Sequence, residues 1–310
     1  MSDDNPTVSV IIPCYNRELT LSKTLDSALS QTVSDLEIIV VDDGSTDSSP
    51  QILQDYAARF PGKIRVFRTA NGGPYPARNL AIREARGRYI SFLDSDDYWD
   101  EHIVAKELEV LRANAALGLV HAGVTQVTGD GEVYRRRTIG RHYVGDCFRK
   151  LLIRNGIGTS SVMVPRHVFE KVGDFDEQYA ARGDWEMWTR IASEFPVGYV
   201  NEPLLFYRVH DGMMSSNAER MRHFQLAIIE GNHQRYSGVV EDIDQLTEDA
   251  RFHCYFTEAN DAVWSGRPGF ATENYLKAIR TKPLKLGTYI RAIYGVIKAL
   301  LKKALKIQPK

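Results

Sequence analysis

Short apolar runs alternate with helical spacing through the first hundred residues, and no other feature limits the fold as much. Residues 8–12 (VSVII) are continuously apolar and are followed by Leu19, Leu21, Leu25, Ala28 and Leu29 at helical intervals. Residues 36–41 (LEIIVV) form a second run, and a helical stretch then carries Ile52, Leu53, Tyr56 and Ala57. Residues 64–67 (IRVF) form a third run, and a helix over 75–86 leads into a fourth, 88–93 (RYISFL). A run that is apolar at successive positions buries both faces of its strand, and strand–helix alternation makes neighbouring strands parallel. The expected class is therefore α/β, with a mostly parallel sheet flanked by helices. In such sheets ligands bind beyond the carboxyl ends of the strands.

Those strand ends are polar and mostly acidic: PCYNR after the first strand, DDGSTD after the second, DSDD after the fourth. Further on, residues 118–127 and 158–164 read as strands and 184–195 as a helix. From 217 the chain turns helical, with breaks at 266–269 and near Pro283. No repeat or low-complexity segment occurs.

Charge narrows the partners. The chain has 310 residues, 39 Lys and Arg against 40 Asp and Glu, and 43% hydrophobic residues. Ten of the cations and no acid fall after residue 273, which leaves residues 1–273 with 29 basic and 40 acidic groups, a net −11. An acidic body with a basic tail argues against nucleic acid and for a local anionic partner at the tail. Ile290, Ile293, Tyr294, Ile297, Leu300, Leu301, Ala304 and Leu305 recur at helical spacing among those cations. Such a helix packs on the body or on a partner subunit, or lies on an anionic membrane through 284–310. The three cysteines have no zinc or redox spacing. The N-terminus does not read as a signal peptide, and no uncharged run reaches the roughly 18 residues of a spanning helix. A cytoplasmic protein is expected, peripheral at the membrane if the tail binds lipid.

Each acidic motif has two readings. DDGSTD (42–47) is a tight turn with Ser45 or Thr46 capping the next helix, or a carboxylate site for a ribose or base N–H. Asp94, Asp96, Asp97 and Asp100 are a solvated turn with a helix cap at Asp100, or they hold a hard cation. Asp94 and Asp96, two apart on an extended chain, share a face and suit Mg²⁺ or Mn²⁺ completed by phosphate and water. An EF-hand starting at Asp94 fails at Trp99 and Ala105, an aspartyl-phosphate motif fails at Tyr98, and no GxGxxG exists. Asp184 in GDWEMW (183–188) is a helix N-cap, or a general base whose pKa the flanking Trp185 and Trp188 raise.

Taken in order, VSVIIPCYN, IIVVDDGSTD, NGGPYPARNLAIREARGRYISFLDSDD, VFEKVGDFDE, GDWEMWTR and YRVH resemble glycosyltransferase family 2, with its nucleotide-sugar-binding GT-A fold. The resemblance covers residues 6–216. It implies a catalytic domain over 1–216, with a nucleotide half (1–100) and an acceptor half (101–216), and a helical region over 217–310. It implies Pro13 and Tyr15 along the base pocket, Asp42 with Asp43 on uracil, Arg78 and Asn79 beside the nucleotide, and Asp94 and Ser95 towards the ribose. Asp96 and His210 would hold Mn²⁺ or Mg²⁺, and Asp184 would be the catalytic base. Trp185, Glu186 and Arg208 would stand nearby on the acceptor side, with Glu186 the reserve base. Many members have an acid before that Asp; here it is Gly183. The implied activity is metal-dependent, inverting transfer from a UDP-sugar to a glycan or lipid-linked acceptor in cell-surface polysaccharide synthesis. A non-catalytic sugar-nucleotide binder and a nucleotidylyltransferase are the alternatives.

Overall fold

The structure is a computed structural model that describes residues 5–137, 142–210 and 217–283, with Gly287, Ile290, Tyr294, Gly295 and Ile297. The chain divides into two compact units, 1–151 with 155–214, and 152–154 with 215–310.

In the first unit β1 (Val8–Cys14) and β2 (Leu36–Asp42) are buried at every residue, as their unbroken apolar runs predict. They pair in parallel with each other and with β3 (Ile64–Arg68) and β4 (Tyr89–Phe92) in the order β3-β2-β1-β4. Two polar residues interrupt these runs without cost because they satisfy one another. Ser9 donates to Glu37 at 2.6 Å, and Glu37 also accepts from the Arg86 N–H at 2.7 Å and pairs with Arg65 at 3.1 Å. The helices α1 (Leu21–Leu29), α2 (Ser49–Arg59) and α3 (Pro74–Glu84) connect these strands. Leu19 lies ahead of α1 and is exposed, so the helical spacing starts two residues later than the sequence pattern places it.

Beyond β4 the sheet stops being parallel. The two-residue β5 (Tyr98–Trp99) and α4 (Ile103–Ala113) precede β6 (Leu119–Thr128) and β7 (Val133–Arg137). Next come α5 (Phe148–Ile153), a 3-10 turn at Thr159–Ser161, β8 (Val162–Pro165), α6 (His167–Val172), α7 (Gly183–Glu194) and β9 (Val197–Val209). The order continues β4-β8-β6-β9-β5, with β7 on β6. β8 is antiparallel to both β4 and β6, and β9 runs parallel to β6 but antiparallel to β5. The expectation of a mostly parallel sheet therefore holds for its first half only, and the whole is mixed. The β6–β9 register slips around Gly123, opposite Pro203. A bulge is where a strand tolerates a proline, because no ladder N–H is needed there. That proline and the polar pair Asn201–Glu202 ahead of it break the apolar pattern of β9, which is why its run is hard to read as one strand.

The second unit holds α8 (Ala218–Tyr236), α9 (Ile243–Trp264) and α10 (Pro268–Thr281). Ala259, Ala262, Val263, Ala271 and Tyr275 form a buried apolar cluster between α9 and α10. The expected break at 266–269 is present: Gly266 adopts φ +65° and Pro268 opens α10. Most of the amphipathic stretch expected over 284–310 lies outside the described residues, as do Ser215 and Ser216. Of that stretch, Ile290, Tyr294 and Ile297 are helical and exposed. Among the described residues no helix is long and apolar enough to cross a membrane.

Candidate active site

The carboxyl ends of β1, β2 and β4 lie side by side, with Cys14 opposite Asp42, and the loops that leave them are tied into one frame. Asn16, at φ +51°, accepts the Thr46 N–H at 2.8 Å, while its own N–H donates to the Ser45 hydroxyl at 3.0 Å. The Arg17 N–H donates to the Ser49 hydroxyl at 2.8 Å, and Asp47 accepts from the N–H groups of Glu18 and Ser49. Ser45 and Thr46 thus join the first two loops instead of capping α2, whose N-cap is Ser48. Gly44 is required here: at φ +77°, a Cβ would stand 3.0 Å from the Asn71 nitrogen.

The two aspartates of DDGSTD separate. Asp42 accepts the Ser45 N–H on Oδ1 at 2.9 Å, but its Oδ2 is buried and has no hydrogen-bond partner among the described residues. The Arg68 Nε is 3.4 Å from that oxygen, close enough for charge attraction but not aligned as a donor. Pro13 is buried in β1 opposite Val41, whereas Tyr15 is 44% exposed. Asp43 is occupied instead: its two oxygens accept the N–H groups of Gly72 and Gly73, both at 2.8 Å, and so hold the loop that leads into α3. Both oxygens of the residue expected beside Asp42 on uracil are thus engaged by backbone N–H groups.

The acidic run after β4 resolves into distinct roles. Asp94 forms an ion pair with Arg78, whose guanidinium is buried over the rings of Tyr75 and Phe175. Asp96 Oδ2 faces Arg17 at 3.2 Å and His210 Nε2 at 3.3 Å. Asp97 is buried and accepts from the Ser160 hydroxyl at 2.6 Å and the Arg208 N–H at 3.0 Å. Burial, then the charges of Asp96 and Asp94, push its carboxyl well above the usual carboxylate range. Asp100 accepts the His102 N–H at 3.0 Å and so shapes the turn into α4. Ser95 is buried, and its carbonyl accepts from the hydroxyls of Thr20 and Thr24. Arg208 clamps the loop from the far side, donating to the carbonyls of Asp96 at 2.8 Å and Gly129 at 2.7 Å. The crowded acids are therefore not equivalent: two carry facing cations, one is buried as support, and one serves a helix start.

The start of α7 completes the group. Asp184 lies in the first turn, and the N-cap is Arg182 in a left-handed conformation, so Asp184 is not the cap its position predicts. Its oxygens reach other segments, with the Tyr75 hydroxyl at 3.4 Å and Asn155 Nδ2 at 3.0 Å. Burial raises its pKa, with Asp94 adding to the shift and Arg78 and Arg182 opposing it. Three neighbours are committed elsewhere. Glu186 is buried in a bidentate pair with Arg190, 2.7 Å at both contacts, and Trp185 is buried with its indole N–H on the Leu151 carbonyl at 2.6 Å. Asn79 is buried between the Phe175 backbone, whose N–H and carbonyl it bonds at 2.9 Å, and Glu177. Trp185, Glu186 and Arg208, expected nearby on the acceptor side, and Asn79, expected beside the nucleotide, thus each bond to the protein's own framework in this structure. Tyr75 and Asn155 are contacts the sequence reading misses.

A family model described as glycosyl transferase family 2 matches residues 9–173. The chain belongs to that family. The chain is 43% identical over 129 residues to the uncharacterised glycosyltransferase EpsJ of Bacillus subtilis, a match covering 42% of this chain and 37% of EpsJ. It is 28% identical over 234 residues to a chondroitin synthase of Escherichia coli, covering 71% of this chain and 32% of the synthase. The chain thus spans well under two thirds of both relatives. Among solved structures, S. aureus TarS with UDP-GlcNAc aligns at TM-score 0.66 and 17% identity, over 94% of this chain and 89% of that one. A Pyrobaculum calidifontis mannosyltransferase with GDP-Man and Mn²⁺ aligns at TM-score 0.64 and 19% identity, over 98% and 88%. At such identities the likeness shows the fold, an α/β fold of GT-A type.

Among the described residues no group of three His, Cys, Asp or Glu gathers as a metal site. The Asp96 carboxylate and His210 imidazole nevertheless offer two adjacent donors, one oxygen and one nitrogen, both partly open to solvent. Two protein ligands fit a cation such as Mn²⁺ or Mg²⁺ that takes its remaining ligands from phosphate and water.

Proposed function

We propose that this glycosyltransferase moves a sugar, with inversion, from a nucleotide donor of the UDP-sugar type to a hydroxyl of a glycan or lipid-linked acceptor. One observation carries the reading. The free Asp42 oxygen, the Asp96–His210 pair and the Asp94–Arg78–Tyr75–Asp184 chain of contacts all belong to one frame at the carboxyl ends of β1, β2 and β4.

Each residue has a task in that chemistry. Asp42 Oδ2 accepts a base N–H, and Tyr15 lies against the base. Asp94, fixed by Arg78, accepts from the ribose. Asp96 and His210 would hold Mn²⁺ or Mg²⁺, which when bound offsets the negative charge that grows on the leaving diphosphate. Asp184 takes the proton of the acceptor hydroxyl as its oxygen bonds to the anomeric carbon. The bond from that carbon to the diphosphate breaks on the opposite face, and its electron pair leaves with the nucleotide. A carboxylate whose pKa is raised by burial is a stronger base than one in water, which suits Asp184 to the step.

Relatives that include a chondroitin synthase support a polysaccharide acceptor. A peripheral position at an anionic membrane fits the exposed Ile290, Tyr294 and Ile297 within a segment that carries ten cations and no acid. The test of donor and metal is to incubate the full chain with UDP-GlcNAc, UDP-glucose, UDP-galactose and GDP-mannose and follow nucleoside diphosphate, with Mn²⁺ or with EDTA. Release from a UDP-sugar that EDTA abolishes is the expected result. Release that EDTA leaves unchanged would remove the cation, and release from GDP-mannose alone would remove the uridine donor.

A further inference from the structure

The glycine before Asp184 is the chain's departure from the pattern it resembles, and the structure gives it a physical cause. A Cβ on Gly183 would lie 2.9 Å from Cζ and 3.0 Å from Cε2 of Tyr75, so the tyrosine ring occupies the space that any side chain at 183 needs. The same tyrosine turns its hydroxyl to the neighbouring acid. It lies 3.4 Å from Asp184 Oδ1, to which it donates, and accepts the Asp184 N–H at 3.3 Å. The other carboxylate oxygen accepts from Asn155 Nδ2 at 3.0 Å. Asn155 is itself oriented, because its Oδ1 accepts the Ile157 N–H at 2.9 Å. Tyr75 is buried and its ring packs on Phe175 at 5.6 Å, so this support stands on the framework rather than on the surface.

We propose that Tyr75 and Asn155 are positioning residues that fix the orientation of the Asp184 carboxylate. The role rests on Asp184 being the base. Both donors bond the ionised carboxylate, so each favours its charged form. The other groups facing it are Arg78 on α3, Arg182 ahead of α7 and Asp94 after β4, and none of them changes when Tyr75 or Asn155 is altered. Losing either donor therefore makes the carboxyl harder to ionise.

The test is a titration of the Asp184 carboxyl carbon by NMR in the full chain labelled at aspartate, with the resonance assigned by its loss in Asp184→Asn. Tyr75→Phe keeps the ring and removes only the hydroxyl; Asn155→Ala removes the second donor. The expected result is a midpoint raised by about one pH unit in Asn155→Ala, and by less in Tyr75→Phe, whose bond is longer. A role in packing alone lowers the melting temperature and leaves the midpoint where it was, and that result overturns the proposal. The two levels separate through turnover of the UDP-sugar donor. Wild-type turnover in Asp184→Asn removes the base and the proposal with it. An inactive Asp184→Asn with unmoved midpoints in both other variants removes the positioning role alone.

Discussion

If Asp97 is support and not a ligand, its charge is dispensable and its shape is not. Asp97→Ala leaves the Ser160 hydroxyl and the Arg208 N–H facing each other across a small void. A buried donor stripped of its acceptor costs roughly 1–3 kcal/mol, so the pair costs about 2–6 kcal/mol. That is a large share of the 5–15 kcal/mol that typically separates folded from unfolded chains. At roughly 2–4 °C per kcal/mol for a domain of this size, the melting temperature falls by about 10 °C. Asp97→Asn keeps both contacts, with Oδ1 accepting the Arg208 N–H and Nδ2 donating to the Ser160 oxygen, and costs less than about 1 kcal/mol. The sign of the pH effect follows from the raised folded-state pKa. Between the unfolded value of about 4 and that higher value the native state binds more protons than the unfolded one, so this group's contribution falls as pH rises. Thermal melts of the three proteins between pH 4 and 8 read all of this, and Asp97→Asn gains on the wild type as pH rises. An asparagine variant as unstable as the alanine one, or one that loses Mn²⁺ binding, would refute the supporting role.

Three further outcomes are expected. Asp96→Ala abolishes the Mn²⁺-dependent part of UDP binding in calorimetry, and an unchanged dependence means that the ion sits elsewhere. Glu107 is fully buried on α4 with neither carboxylate oxygen hydrogen-bonded among the described residues, and burial raises its pKa well above the ordinary range. Glu107→Leu therefore stabilises the protein by about 1–3 kcal/mol in thermal melts, by an amount that grows as pH rises above about 4; an equal or lower melting temperature at pH 7 counts against this. The full chain sediments with phosphatidylglycerol vesicles, less so at high salt, and changing Ile290, Tyr294 and Ile297 together to Ser removes the binding; sedimentation identical to wild type would contradict it.

The strands and helices that build the site are legible because β1, β2 and β4 are buried on both faces and read as continuous apolar runs. The antiparallel half is less so, since β5 has two residues and β9 crosses Pro203 at a bulge. Within the candidate site, residue type and order pick out loops that the fold brings together, but not the direction each side chain takes. Asp42 and Asp43 are adjacent and alike, yet one keeps a free buried oxygen while the other is used up on two backbone N–H groups. Asn79, Glu186 and Arg208 are polar residues at functional-looking positions that hold the frame instead. Tyr75 and Asn155 carry no motif of their own. The one signal for them is Gly183, and it has meaning only once the tyrosine ring is seen against it.

Under the proposed function, Asp184 deprotonates the acceptor within a site that binds the donor without its help. Asp184→Asn, assayed for transfer from the UDP-sugar and titrated with UDP in the presence of Mn²⁺, tests this most directly. The expected outcome is UDP affinity close to wild type and turnover lower by about 10²–10⁴. Near-normal turnover, or UDP binding lost together with activity, would contradict it.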